Sequence, residues 1–169
     1  FYNNADVFTI ISNTEAGFSS DTRKWTHISN VNTDTHVYPQ CNTSAQYNKD
    51  IYLWSTIPNT NQFLSKVIFS DSGYSRPFYD TGEYGLSSHS IAIECNELQS
   101  KKLIEYLNSK ELSFFNSFFA QSGSASKLSP FLNKIPKIDS DSDSDILSLL
   151  ANTLKLTSQE KNYIENAIK

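Results

Sequence analysis

The 169 residues contain no methionine, only two cysteines and no apolar run that could cross a membrane. A spanning helix needs about 18 or more apolar residues, so the sequence predicts no membrane contact. Cys41 and Cys95 lack the neighbouring Cys or His residues of a zinc site. They indicate buried thiols of a cytoplasmic protein, with a Cys41–Cys95 bridge as the weaker alternative. The start at Phe1 and the lack of methionine indicate a piece of a longer protein.

Positive charge is also scarce, because 14 Lys and Arg stand against 18 Asp and Glu, a formal net charge of -4. A domain that holds nucleic acid by bulk charge alone is basic. The acidic residues are densest at Asp139, Asp141, Asp143 and Asp145, and the remaining chain is close to neutral. Charge therefore permits DNA binding without indicating it.

Motifs of catalysis and of metal binding are missing as well. No glycine-rich turn of a nucleotide-binding strand and no Gly-x-Ser-x-Gly elbow occurs. His27, His36 and His89 lack metal-ligand spacing. A nuclease with two acids and a lysine would use Asp80 and Glu94, but no lysine follows Glu94 two positions on. The sequence predicts no catalytic residue and no metal site in this chain.

The segment 66–90, KVIFSDSGYSRPFYDTGEYGLSSHS, departs most from an ordinary core sequence. Its apolar run 67–69 and the run 91–93 that follows it predict two strands. Between them lies a polar loop with one guanidinium, Arg76, and four aromatic rings: Tyr74, Phe78, Tyr79 and Tyr84. Such a loop is typical of a recognition surface rather than of a core.

The remaining periodicity predicts an α+β fold, a mixed or antiparallel sheet packed by helices, with a C-terminal helical hairpin. Strands are expected at 7–11 and 51–57, and short strands or a functional loop in the polar stretch 32–50. Helices are expected at 97–110 and over the aromatic stripe that ends at Phe119. We interpret this stripe as core packing, with a ligand box as the alternative.

The end of the chain carries clear helix-start signals. Asp145 is expected to cap a helix over 146–154, and Thr157 forms a capping box with Glu160. The hairpin cannot bury its own apolar face, so it must pack on the main domain or on a neighbour. We divide the chain into a domain, 1–136, and an acidic joint with the hairpin, 137–169.

Three runs in order carry a family resemblance: VIFSDSGYSRPFYDTGEYGLSSHSIAI, LIEYLNSKELSFF and QSGSASKLSPFLNKIPKID. They resemble the carboxy-terminal part of bacterial adenine-specific DNA methyltransferases of type II restriction–modification systems. The matching positions in the first run are Lys66, Val67, Ile68, Ser70, Ser72, Gly73, Pro77, Asp80, Gly82, Tyr84 and Gly85. The resemblance covers the chain from Lys66 onward.

The resemblance implies a DNA target recognition domain that binds double-stranded DNA and lies beside an N-terminal methyltransferase domain. That domain would bind S-adenosyl-L-methionine, whereas this chain is expected to hold no cofactor. The family's catalytic motif, an Asp or Asn with two prolines and an aromatic residue, is absent, since no Pro-Pro pair occurs. This chain is therefore expected to be silent as an enzyme, although its parent would methylate adenine.

The expected DNA contacts divide by chemistry. Arg76 is suited to reading a guanine bidentately, and aromatic rings are suited to stacking or to filling the space of a flipped base. The full set of predicted contacts is Arg23, Lys24 and Lys66 at phosphates, Arg76, Ser72 and His89 at base edges, and Tyr74 and Tyr79 as stacking rings. For Asp80, Gly82 and Gly85 we favour a structural role in a turn.

A protein-interaction module that docks a partner subunit of a restriction–modification complex is the alternative function. Aromatic residues and arginine are enriched at such interfaces as well. Salt separates the two functions, because phosphate contacts release counterions and weaken steeply with salt.

Overall fold

The computed structural model describes residues 9–12, 27–44, 49–71, 77–87, 90–119, 132 and 145–168. Within these ranges the strands are β1 (Ile10–Ser12), β2 (Ile28–Ser29), β3 (Tyr38–Ser44), β4 (Lys49–Ser55), β5 (Lys66–Ser70), β6 (Phe78–Asp80), β7 (Gly85–Leu86) and β8 (Ser90–Glu94). The helices are α1 (Glu97–Leu107), α2 (Lys110–Phe119), α3 (Ile146–Leu154) and α4 (Ser158–Ala167).

The strands form two sheets of four. The first has the order β1-β8-β5-β6 and is antiparallel throughout. The second has the order β2-β4-β3-β7 and is mixed, because β3 and β7 run parallel. The α+β class with a mixed or antiparallel sheet is confirmed.

The central strand β5 is buried on both faces, which explains its unbroken apolar run. Val67 and Phe69 belong to a core shared with the helices, whereas Ile68 packs with Cys41 and Leu86 of the second sheet. Side chains alternate along a strand, so the antiparallel sheet is the middle of three layers. Helices cover one face and the mixed sheet covers the other.

Local signals predicted most of these elements. The strands expected at 51–57, 67–69 and 91–93 and the helices at 97–110 and through the aromatic stripe are present with slightly shifted ends. The strand expected at 7–11 begins at Ile10, and residues 7 and 8 lie outside the described ranges. In the stripe, Leu112 and Phe115 are buried core residues, as the packing interpretation requires.

The predicted hairpin is also present. Asp145 caps α3 by accepting from the Ser148 backbone N–H, and Thr157 and Glu160 form the capping box of α4. Leu150 and Ile164 join the same core as the sheet, so the hairpin packs on the main body. The division of the chain at residue 136 stays a prediction. Among the described helices, none is long and apolar enough to cross a membrane.

Candidate functional site

One end of the antiparallel sheet gathers four strand termini. β1 ends at Ser12 and β5 at Ser70, whereas β6 begins at Phe78 and β8 begins at Ser90. Ser70 lies directly opposite Ser90, and all neighbouring strands are antiparallel. These termini therefore lie at the same end of the sheet, which we call the Ser70 end.

The segments that carry most of the predicted DNA contacts attach at the Ser70 end. Segment 13–26 follows β1, segment 72–76 joins β5 to β6, and residues 88–89 precede β8. Six of the eight predicted contacts belong to these segments and lie outside the described residues: Arg23, Lys24, Ser72, Tyr74, Arg76 and His89. Their roles stay predictions. The chain anchors of segments 72–76 and 88–89 converge at the Ser70 end, whereas segment 13–26 leads to Ile28, which pairs with Ser55 beside the buried Gln40–Gln62 pair.

Lys66 lies at the other end of the sheet, which we call the Lys66 end. Its side chain is completely buried, and its ammonium group lies 2.6 Å from Oδ2 of Asp80. The same ammonium donates to the Leu64 carbonyl oxygen at 2.9 Å. The prediction that Lys66 contacts a phosphate is therefore wrong, because this charge is neutralised inside the protein and does not reach the surface.

Asp80 has the structural role expected from the sequence. Besides pairing with Lys66, its carboxylate accepts hydrogen bonds from the backbone N–H groups of Glu83 at 2.8 Å and Tyr84 at 3.3 Å. It thereby closes the turn that leads from β6 to β7. Burial and the neighbouring Glu83 raise the pKa of Tyr84.

The two glycines of this turn are required by close contacts. Gly82 has a φ of +107°, and a Cβ there would lie 2.9 Å from backbone atoms of Phe63. A Cβ on Gly85 would collide with the side chains of Gln40 and Asn59. The structural roles expected for Gly82 and Gly85 are therefore confirmed.

Three buried amide side chains connect this turn to the loop that precedes β5. Gln40 donates to Gln62 Oε1 at 3.1 Å, Gln62 donates to the Glu83 carbonyl oxygen at 2.8 Å, and Asn59 donates to the Leu86 carbonyl oxygen at 3.2 Å. Hydrogen bonds between buried side chains rigidify the structure around them. These residues could not be identified from the sequence, because single amides in a polar stretch give no periodic signal.

The described part of the loop between 70 and 90, residues 77–87, includes two strands and a largely buried stretch. The expectation that this loop forms a recognition surface stays a prediction. Leu86 and Ser87 are fully buried, and the Ser87 hydroxyl donates to Asn42 Oδ1 at 2.8 Å. The polar side chains of this stretch are compatible with the interior because their hydrogen bonds are made there.

Tyr79 is the second predicted DNA contact in the described part of the chain. Its half-buried ring packs against the helix-side core and lines a cavity of about 580 Å³ with Glu94 and Cys95. Glu94 lies directly opposite Lys66, so this cavity is at the Lys66 end. The assignment of Tyr79 as a stacking ring stays a prediction.

The geometry also bears on the nuclease alternative and argues against it. Lys66 lies between Asp80 and Glu94 on adjacent strands, which is the neighbourhood that a nuclease with two acids and a lysine needs. However, Lys66 and Asp80 are sealed from solvent and bonded to each other. A nuclease needs accessible carboxylates to bind its metal ion and phosphodiester. Lys66 and Asp80 therefore form a structural ion pair, and Glu94 lies beside it.

Thiol and metal chemistry receive no support from the described residues. Cys41 and Cys95 are not joined in a disulfide, and burial raises the pKa of Cys95, which keeps it protonated and poorly nucleophilic. In the described ranges no cluster of three His, Cys, Asp or Glu residues could hold a metal ion.

The chain matches no protein-family model, no curated protein and no solved structure.

Proposed function

We propose that this chain is the DNA target recognition domain of an adenine-specific methyltransferase of a restriction–modification system. In this proposal it binds double-stranded DNA in the cytoplasm and carries no catalytic residue. The S-adenosyl-L-methionine site belongs to an N-terminal methyltransferase domain of the parent protein. The observation that carries the proposal is the convergence, at the Ser70 end, of the strand termini that flank four of the predicted DNA contacts: Ser72, Tyr74, Arg76 and His89.

The six residues supply complementary parts of DNA recognition. Phosphate contacts fix the register of a protein on the duplex, and contacts to base edges read the sequence. Arg23 and Lys24 carry the positive charge for the first task. Arg76 carries the planar donor fork that matches guanine O6 and N7. Ser72 and His89 add smaller polar groups for neighbouring bases, and Tyr74 offers a ring to an unstacked base.

The buried frame gives this surface a fixed base. β5 and β8 are fully paired up to Ser70 and Ser90, and the Ser90 hydroxyl donates to the Cys41 carbonyl oxygen at 2.7 Å. Rigid anchors reduce the entropy lost when a loop is immobilised on its target. This explains how residues of the family motif support DNA binding without touching DNA: the Lys66–Asp80 pair, Gly82 and Gly85 hold the frame.

The proposal is tested by titrating a labelled duplex with the chain at low and at physiological salt. Non-specific contacts of this kind typically have a Kd of about 10⁻⁴–10⁻⁶ M at physiological salt. With a net charge of -4, the chain should bind near the weak end and lose affinity steeply as salt rises. Arg76→Ala should weaken binding further.

Lys101→Ala is the matched control, because it removes the same charge from an exposed position on α1. In the parent enzyme, Arg76→Ala should cost about 1–3 kcal/mol of discrimination at the position it reads. Equal losses in the two variants, or binding that ignores salt, would overturn the proposal.

A further inference from the structure

Phe63 combines two unfavourable properties at the Lys66 end. Its φ is 69°, in the left-handed region that bulky residues avoid, and 69% of its surface is exposed. The conformation is held firmly, because Phe63 N–H donates to the Gly82 carbonyl oxygen at 3.1 Å. The preceding Gln62 is buried in the amide network. A strained backbone that presents an exposed aromatic ring is a feature of functional sites.

A second exposed apolar side chain lies at the same end. Leu98, in the first turn of α1, is 73% exposed. The two segments are joined by a hydrogen bond from the Cys95 backbone N–H to the Ser65 carbonyl oxygen at 3.2 Å. Ser65 and Glu94 line the cavity of about 580 Å³ that also borders Tyr79. The cavity therefore has a carboxylate residue in its wall, and the two segments that meet beside it, at Ser65 and Cys95, also carry the exposed side chains of Phe63 and Leu98.

Among the residues that the structure describes, the accessible charge at this end is negative. Glu83, Glu94 and Glu97 are exposed, whereas the ammonium of Lys66 is buried against Asp80. The described lysine of α1 that lies nearest to this end is Lys101, one helical turn after Glu97. This charge repels DNA phosphates, and a symmetric contact with a second copy would set the same carboxylates against one another.

We propose that the Lys66 end docks a basic polypeptide surface. Phe63 and Leu98 serve as apolar anchors, and the cavity beside Glu94 receives a Lys or Arg side chain of the partner. This function goes beyond the proposed DNA recognition and uses the opposite end of the sheet, so DNA and the polypeptide can be bound together. Exposed aromatic anchors beside a complementary charge are the usual centre of such interfaces.

The test follows the backbone amide signals of the ¹⁵N-labelled chain by NMR as peptides are added. The probe is a peptide of alternating leucine and arginine, and its counterpart has glutamate in place of arginine. The arginine peptide should shift signals of residues 63–65 and 94–98, and the glutamate peptide should not. Phe63→Asn combined with Leu98→Ser should weaken binding about tenfold or more, as expected for loss of an interface anchor.

Two further variants separate docking from folding. Asn tolerates the left-handed backbone that Phe63 adopts, so the fold should survive its introduction. Glu94→Gln changes one exposed carboxylate and should weaken binding of the arginine peptide alone. Tyr163→Ala is the matched control, because Tyr163 is as exposed as Phe63 but lies on α4, and it should leave binding unchanged.

Four results would overturn the inference. They are no binding of the arginine peptide, equal binding of the glutamate peptide, loss of duplex binding in the Phe63 variant, and self-association of the chain that this variant abolishes. The proposed polypeptide docking is tested independently of the proposed DNA binding. Arg76→Ala should keep peptide binding, and Phe63→Asn should keep DNA binding, so either proposal can fail alone.

Discussion

Replacing Asp80 by alanine should destabilise the protein more than a typical surface substitution. Lys66 and Asp80 have side-chain exposures of 0% and 1%, and their charged atoms are 2.6 Å apart. Without Asp80 the ammonium keeps the Leu64 carbonyl as an acceptor but loses its counter-charge. The backbone N–H groups of Glu83 and Tyr84 lose their acceptor in the same substitution.

The size of the effect follows from this geometry. Removing one partner of a buried ion pair costs about 3–5 kcal/mol, because the other charge stays buried without compensation. Domains have a total stability of about 5–15 kcal/mol, so Asp80→Ala should consume a large part of it. Lys66→Met should cost less, because the Asp80 carboxylate retains its two backbone donors.

Urea unfolding followed by tryptophan fluorescence measures these differences. With an m-value of about 2 kcal/mol per M, a loss of about 4 kcal/mol lowers the midpoint by about 2 M. Glu165→Ala is the control, because the Lys161–Glu165 pair is exposed, spans 3.9 Å and should contribute no more than about 0.5 kcal/mol. A cost below about 1 kcal/mol for Asp80→Ala would refute the assignment of a structural ion pair.

Two further predictions concern single side chains. Phe63→Asn should raise the free energy of unfolding by about 0.5–1 kcal/mol. Asparagine relieves part of the cost of an L-residue in the left-handed conformation, which is roughly 1–2 kcal/mol. Lower stability of this variant in urea would mean that the Phe63 ring packs on the protein. Asp145→Ala should cost about 1 kcal/mol at neutral pH through loss of the α3 cap. Hydrogen bonds from Ser148 lower the pKa of the Asp145 carboxyl from its ordinary 3.8. A lowered folded-state pKa stabilises the protein above 3.8, and this contribution disappears as pH falls through the lowered value. Urea unfolding of wild type and Asp145→Ala should therefore differ at pH 7 and converge near pH 2, and a constant difference would contradict the ionic cap.

The elements that sequence predicts well here depend on neighbours along the chain. The apolar run at 67–69 is long enough to indicate a strand by itself. The caps at Asp145 and Thr157 act on backbone groups three residues away. Such signals require no knowledge of the rest of the fold, so the α+β class and the hairpin follow from them.

The errors concern contacts between distant residues. Lys66 precedes an apolar run, and as a lysine it suggests an exposed residue, but its partner lies 14 positions away on an adjacent strand. Ser87 similarly has a polar side chain, yet it is buried because its hydroxyl donates to the distant Asn42. Burial of a polar residue depends on its partners, and no spacing rule identifies those partners beforehand.

In the candidate site, too, some features follow from the sequence and others only from contacts between distant residues. Composition identified the polar and aromatic segments, but only the strand register brings Ser12, Ser70, Phe78 and Ser90 to one end. The register also assigns Lys66 to the opposite end, which sequence order conceals. Phe63 gave no sequence signal at all, because its importance comes from its backbone conformation.

The most direct measurement compares photo-crosslinking to DNA from the two ends of the sheet. A photoreactive phenylalanine analogue would replace Asp71, next to Ser70, in one sample and the exposed Thr81, next to Asp80, in the other. Both samples would be irradiated with the same labelled duplex at low salt. The proposed function predicts crosslinks from position 71 and none from position 81. Equal crosslinking from both positions, or crosslinking from position 81 alone, would contradict the claim that the Ser70 end faces DNA.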